Sequence, residues 1–575
     1  MRARRDEKGA AAIIAIMVVA FLFAGLAALS VDVGQAYSQI GRAQKAADAA
    51  ALAGVTYMPQ DFASASATAL DVAARNGFPN GGNITVDVRP GSRPSELRVT
   101  ISTRFTNSFG KMIGVPTTTI SRSALADYTG PQPMGSPCNT LGNEPAGSAG
   151  AGPVASQLSV PAGATCPRLP QFWMTVHGPN VYKTQGDEYH VRTCQGGESG
   201  CSAAKANTEY RPEGYFLLVR VAPAAVGSAV TLQLYDPAYV STTSDCGSIP
   251  TGNITSNDWN DYATTDAKTR YANSSNEWCT GDDPNSSLRV GSETPTITSY
   301  ALRGPTQDFN PLSSTPMSGC TRQYPGYTTP TANQLKKGNA SYNENLARVF
   351  HQWVPLCTFT PTKSGDYYLQ VRTNVPMGGT VNDTGSYKPS SATTSAVATQ
   401  TGDNTTVTGN GSNRFAVRAF GGPAASVSVS AYGKMPIFAN ANTAAPTFNL
   451  IRVLPGAAGK SLVFSFFDVG DAASSGTLTV LRPTEATGNA LTNCLASGFK
   501  TQTLSTCSIG GISSSAGWNG QGENIVVPIP ANYTCNYTSP AGCWFRVQVN
   551  FGTGSVTDAT TWTASVRGDP VRLLE

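Results

Sequence analysis

The chain has 575 residues, 40% hydrophobic and 13% charged, with 58 Gly, 38 Pro and a net charge of +4. That length accommodates about three domains of ordinary size, and the composition favours strands and loops over helices. No Lys/Arg run follows the first eight residues, so nothing is present to neutralise a phosphate backbone and nucleic acid is not an expected partner.

The chain opens on a basic tip, residues 1–8, carrying Arg2, Arg4, Arg5 and Lys8, and then has no charged residue from Gly9 to Val31. At about 1.5 Å per residue this run spans roughly 34 Å as a helix, enough for a hydrocarbon core of about 30 Å. Only Arg42 and Lys45 lie close after it, so the charge asymmetry predicts a cytoplasmic N-terminus and an extracytoplasmic bulk in a single-pass cell-membrane protein. A signal peptide cleaved after "ALS" (Ala28–Ser30) is the alternative; the apolar run exceeds a signal core of about 7–15 residues, which favours a retained anchor. Helix formers continue to Tyr57, giving one predicted helix over 9–57. Its aqueous part carries a small-residue stripe, Ile40, Ala43, Ala47, Ala50 and Gly54, with Arg42, Lys45 and Asp48 off it. Small side chains permit close helix–helix approach, so the stripe is a candidate packing face for a like helix of another subunit; a plain stalk or the first helix of a local fold is the alternative.

Residues Glu7–Val55, with the Gly9 entry, "GLAALSVDVG" (Gly25–Gly34) and "QKAADAAALAG" (Gln44–Gly54), resemble the N-terminal segment of TadE/TadG-like proteins of tight-adherence (Flp) pilus assembly. The resemblance implies pilin-like subunits of a Tad/Flp system and the membrane as partners. Ile14 stands where prepilin-peptidase substrates of this class carry Glu, and no D-x-S-x-S metal triad of a von Willebrand A domain is present. Over 58–128, "ASATALDVAARNGF" (Ala65–Phe78) predicts a short helix stopped at Asn76-Gly77, while "NITVDVRP", "ELRVTISTRF" and "TTTISRSALADY" alternate as strands, together a small α+β pilin-like module.

Residues 129–170 have the Gly/Pro/Ser composition of a flexible linker. Beyond them, "FLLVRVAPAAVGSAVTLQLYD" (Phe216–Asp236) aligns without a gap on "FNLIRVLPGAAGKSLVFSFFD" (Phe448–Asp468), so the region contains a duplicated two-strand unit. The expected fold is mainly β: after the α+β module, two tandem antiparallel sandwiches over 171–421, with a long insertion, and 422–570.

All twelve cysteines lie from Cys138 onward, an even number without C-x-x-C pairs, which reads as disulfides rather than a metal site. Sequence alone leaves connectivity open; the simplest scheme joins neighbours, Cys138 to Cys166, Cys194 to Cys201, Cys246 to Cys279, Cys320 to Cys357, Cys494 to Cys507 and Cys535 to Cys543. The chain has three histidines, His177, His190 and His351, and no nucleophile-elbow, zinc-protease or phosphate-loop motif, so no catalytic residue, cofactor or metal is assigned. His190 beside Glu188 is a polar pair or a base with its orienter, and Asp236 and Asp468 at equivalent strand ends are turn aspartates or calcium ligands. The expectation is a membrane-anchored, extracytoplasmic TadG-like structural or binding protein; an anchored adhesin or glycan binder, using some of the seven tryptophans, and an exported hydrolase are the alternatives.

Overall fold

The computed structural model describes residues 8–58, 62–92, 95–128, 132–142, 172–241, 282, 296–306, 310–324, 326–327, 330–373, 380–381, 387–388, 409–423, 425–441, 443–471, 475–552, 556–567 and 571–574. The chain divides into two units, residues 1–130 with 569–575, and residues 131–568.

The first unit begins with one helix, α1 (Lys8–Gly54), followed by α2 (Phe62–Arg75). Gly77, at φ +89°, ends α2 through a left-handed conformation that glycine adopts without cost, as the Asn-Gly pair predicts. Strands β1 (Ile84–Pro90), β2 (Glu96–Thr106) and β3 (Thr117–Tyr128) form an antiparallel meander, with Val99 opposite Ala124 and Ile101 opposite Arg122. Alternation in β2 buries Leu97, Val99 and Ile101, and α1 and α2 pack on the sheet. A fourth strand comes from far along the chain: Val571, Arg572 and Leu573 pair with Tyr128, Asp127 and Ala126.

In the second unit the first copy of the repeat and its surroundings supply β4 (Pro133–Met134), β5 (Thr140–Leu141), β6 (Phe172–His177), β7 (Tyr215–Val221), β8 (Val230–Tyr235), β9 (Thr298–Arg303), β10 (Pro316–Tyr324), β11 (Trp353–Phe359), β12 (Gly365–Thr373), the ribbon β13 (Thr380–Val381) and β14 (Tyr387–Lys388), β15 (Ser412–Gly421) and β16 (Val427–Tyr432). The second copy supplies β17 (Lys434–Ala441), β18 (Thr447–Arg452), β19 (Ser461–Phe467), β20 (Gly476–Leu481), β21 (Cys494–Gly498), β22 (Thr501–Leu504), β23 (Ser508–Ile512), β24 (Gly522–Pro528), β25 (Trp544–Asn550) and β26 (Val556–Val566). The first unit's closing strand is β27 (Val571–Leu573). In both repeat copies the Pro-to-Gly segment is a short 3-10 turn ending at a left-handed glycine, Gly227 and Gly459.

The strands pair in two runs that each cross both copies. One is β11-β8-β15-β6-β17-β26-β19-β24-β21-β22; the other is β10-β9-β12-β7-β16-β4-β18-β25-β20-β23. The expected border at residues 421/422 therefore falls inside a hydrogen-bonded network rather than between free-standing sandwiches. The physical reason is the edge problem: β6 and β17 occupy equivalent places in the two copies, each would leave unpaired N–H and C=O groups, and each satisfies the other. The junction is close to two-fold, since Met174 pairs with Ile437 while each also pairs with the equivalent strand of its own half, Phe415 and Thr560. One apolar core spans both copies, with Phe172 of β6 packed 5.7 Å from Phe448 of β18 and Phe448 4.9 Å from Trp562 of β26.

The described part of the expected linker is also structured. Met134, Cys138 and Leu141 are buried, and β4 and β5 pair with β16, β18 and β15. Neighbouring cysteines are joined at Cys194–Cys201, Cys320–Cys357, Cys494–Cys507 and Cys535–Cys543. Cys138 is disulfide-bonded as well; Cys166, Cys246 and Cys279 lie outside the described residues.

Candidate functional site: the N-terminal helix

Two environments meet along α1. Ile13, Ile14, Ile16, Met17, Phe21 and Phe23 are all exposed, Phe21 at 81%, whereas Ala43, Ala46, Ala47, Ala50, Ala51 and Gly54 are fully buried or nearly so. Among the described residues no helix is long and apolar enough to be assigned as a membrane span; the side chains of residues 8–11, 22, 24 and 26–28 lie outside the description.

The small-residue stripe is covered within the chain. Ala43, Ala47, Ala50 and Gly54 lie on the face of α1 that meets α2 and the sheet, and Ile40 is half-buried at its start. A Cβ on Gly54 would stand 2.6 Å from the Ala65 carbonyl oxygen and 2.6 Å from Leu97 Cδ2. Three alanines of α2, Ala65, Ala69 and Ala73, complete the contact, so two helices of small residues approach closely. This corrects the expectation of a free face for another subunit's helix: small side chains signal close approach, and here the partners are α2 and the strands of the same unit. Ala46 and Ala51 widen the stripe to the i, i+3, i+4 spacing of a core-facing helix.

At the boundary between the two environments stands Asp32. Its carboxylate accepts the backbone N–H groups of Ser108 (2.7 Å), Phe109 (3.0 Å) and Gly110 (2.6 Å), and one turn on Gln35 Nε2 donates to Ser108 Oγ (3.2 Å). The first charged residue after the apolar run thus pins the β2–β3 connector to the helix. The sequence offers Asp32 only as the end of the uncharged run; its partners are more than seventy residues away.

The positions weighed for chemistry in the second unit, His177, Glu188, His190, Asp236 and Asp468, are buried. His177 and His190 are fully buried, and burial pulls the His177 ring down to about 3 against the Asp187 carboxylate. Asp187 organises this region, accepting the N–H groups of His177, Tyr189 and His190 and the Tyr215 hydroxyl. His190 Nδ1 lies 3.2 Å from the His177 carbonyl oxygen and from Thr373 Oγ1; its neighbour Glu188, pushed up to about 7 by burial and Glu209, donates its own N–H to Thr561. Asp236 and Asp468 both adopt left-handed backbone, φ +51° and +60°, as turn aspartates do. Among the described residues the one set of three ligand-type side chains with atoms within 4.8 Å of one another is Cys194, Glu198 and Cys201, but the sulfurs are joined as a disulfide and Glu198 accepts the N–H groups of Gln195 and Gly196. None of the five described tryptophans is exposed, so none forms an open sugar platform.

The segment built from α1 and α2 has known counterparts. Residues 9–75 match a family described as putative Flp pilus-assembly TadE/G-like. The match ends at the last residue of α2, so it covers the two small-residue helices that pack together and stops before the sheet. No curated protein and no solved structure matches the chain. The likeness to that family is thus confined to α1 and α2.

Proposed function

We propose that the chain is a TadG-like component of a Tad/Flp pilus system, anchored in the cell membrane by the first part of α1, with its N-terminus cytoplasmic and both units outside. The observation that carries this reading is the change of environment along one unbroken helix, from exposed Ile, Val and Phe to buried Ala. An exposed apolar face of that size is costly in water and matched to a bilayer, and the basic residues before Gly9 orient it. The second unit is given a structural or binding role without catalysis: His177 and His190 are buried, the His190 Nδ1 lies against the His177 carbonyl and the Thr373 hydroxyl, and the disulfides suit an oxidising compartment. Protease added outside intact spheroplasts should digest the chain beyond about Tyr57 and leave a membrane-bound fragment; full protection of the second unit would overturn the topology. Crosslinking in intact cells should recover pilus-assembly subunits, and their absence in cells that assemble the pilus would overturn the pilus role.

A further inference from the structure

Resting on the anchored topology above, we propose that the connector Phe109–Val115 is a second membrane contact, an apolar tip that inserts into the phospholipid interface beside the helix. Asp32, one residue past the uncharged run, holds the backbone of Ser108, Phe109 and Gly110, so this connector is fixed at the level where the helix leaves the bilayer. What it presents there is apolar: Phe109 is 42%, Val115 49% and Met112 79% exposed. Burying such side chains in the interface recovers about 25 cal/mol per Å² of apolar surface, which water denies them. Lys111, exposed between them, suits the same boundary, since a lysine lays its methylene stem along apolar surface and carries its ammonium to lipid phosphates. The tip is built rather than loose. Residues Gly110–Ile113 form a 3-10 turn closed by Gly114 at φ +86°, Asn107 Nδ2 donates to the Val115 carbonyl (2.9 Å), and a Cβ on Gly110 would stand 2.7 Å from that same carbonyl oxygen. Continuity decides the occupant: the exposed apolar surface of α1 and that of the connector meet at Asp32, so a bilayer that takes one takes the other, and two contacts fix the tilt of the first unit where one helix alone would leave it free to swivel.

The test uses the full chain in phospholipid nanodiscs with a nitroxide on a single added cysteine, at Met112 (M112C), at Phe21 (F21C) and at Ala74 (A74C) on the exposed side of α2. Collision rates with oxygen, which concentrates in lipid, and with a water-soluble nickel chelate are compared. The expected result is an oxygen-to-nickel collision ratio at Met112 clearly above that at Ala74 and below that at Phe21, which lies roughly 16 Å deeper along the helix; V115C repeats the measurement should M112C fold poorly. A Met112 label as open to nickel as the Ala74 label, with the Phe21 label in lipid, overturns the second contact and leaves the anchor intact. Nickel access at both Phe21 and Met112 overturns the anchor and the contact together. A Met112 label shielded from both probes points to a protein neighbour and overturns the lipid assignment.

Discussion

The duplication supplies an internal control for one buried carboxylate. In the first copy Tyr235 pairs with Ala416, and in the second the equivalent Phe467 pairs with Thr561, so three residues back along each strand Asn413 and Asp558 occupy the same place. Asn413 is fully buried and its amide nitrogen is satisfied, donating to the Pro237 carbonyl (2.9 Å) and to Thr298 Oγ1 (2.7 Å). Asp558 is 3% exposed, its carboxylate oxygens have no side-chain hydrogen-bond partner among the described residues, and burial together with Asp471 and Asp468 outweighs the Ala559 N–H and holds it well above the ordinary carboxylate range. Asp468, also buried, is raised by burial and by Asp471 in turn. A group whose folded pKa is raised costs stability as pH climbs above its unfolded value near 3.9. Asp558→Asn, a copy of the other half's residue, should therefore be close to neutral at pH 4 and stabilising at pH 8. The gain is the cost, escaped by Asn, of keeping protonated or ionising in the folded chain a carboxyl that ionises freely when unfolded, about 1.4 kcal/mol for each pKa unit by which folding raises it. With an unfolding entropy of about 2.1 cal/mol/K per residue over residues 131–568, this corresponds to a rise in Tm of roughly 1.5 °C per unit. Scanning calorimetry of both proteins at the two pH values measures it, and comparison at equal pH cancels the titrations of groups remote from Asp468, Asp471 and Asp558. An Asn variant less stable than the parent at pH 8, or an equal shift at both pH values, would refute the reasoning.

Other expectations follow from the same geometry. Gly54→Ala should cost about 1–3 kcal/mol by driving a methyl into Ala65 and Leu97, and Ala47→Leu or Ala50→Leu should loosen the first unit whether or not a pilus is present; hydrogen exchange over Ala43–Gly54 reads both, and unchanged protection would show the face to be open. Replacing Cys320 and Cys357 by Ser, which opens a 37-residue separation, should destabilise by about 3–4 kcal/mol, against roughly 2–3 kcal/mol for the eight-residue Cys535–Cys543 staple; denaturant midpoints in the reverse order would contradict the loop-entropy account. Because burial holds His177 neutral down to about pH 3 while the unfolded ring titrates near 6.5, its contribution is complete above pH 6.5 and is lost as pH falls toward 3; His177→Gln, which carries no such charge, should show a shallower acid limb in urea midpoints.

Local features were legible in the sequence and distant pairings were not. The expected strand Thr117–Tyr128 is the observed one, and α2 ends where Asn76-Gly77 marks it, because alternation and turn chemistry act over a few residues. The repeat predicted the shared strand–turn–strand geometry, to which the structure adds left-handed backbone at both Asp236 and Asp468, and four cysteine pairs fall between sequence neighbours. Hidden were the contacts that depend on which edges meet: Met174 with Ile437, Met134 with Ile451, and Val571 with Tyr128. Composition misled at residues 132–142, where Gly, Pro and Ser accompany a segment whose Met134 and Leu141 are core residues. The stripe on α1 was visible as close packing, but periodicity names a face and not its neighbour.

The placement of β27 bears on how the molecule assembles. The first unit is discontinuous: its chain departs after Tyr128, and its fourth strand arrives only at Val571, so the whole second unit is inserted between two hydrogen-bonded strands. Until Val571–Leu573 arrive, β3 keeps an open edge, and open edges invite pairing with other chains. In an anchored protein the exposed helix would be seated before the second unit emerges, leaving β3 open close to the membrane throughout that interval. Deleting residues 571–575 isolates this state. The deletion should leave the disulfides of the second unit formed while exposing β3 amides to exchange and promoting edge-to-edge association; protection at Ala126–Tyr128 equal to that of the intact chain would show that the closing strand is dispensable and that β3 is shielded by other means.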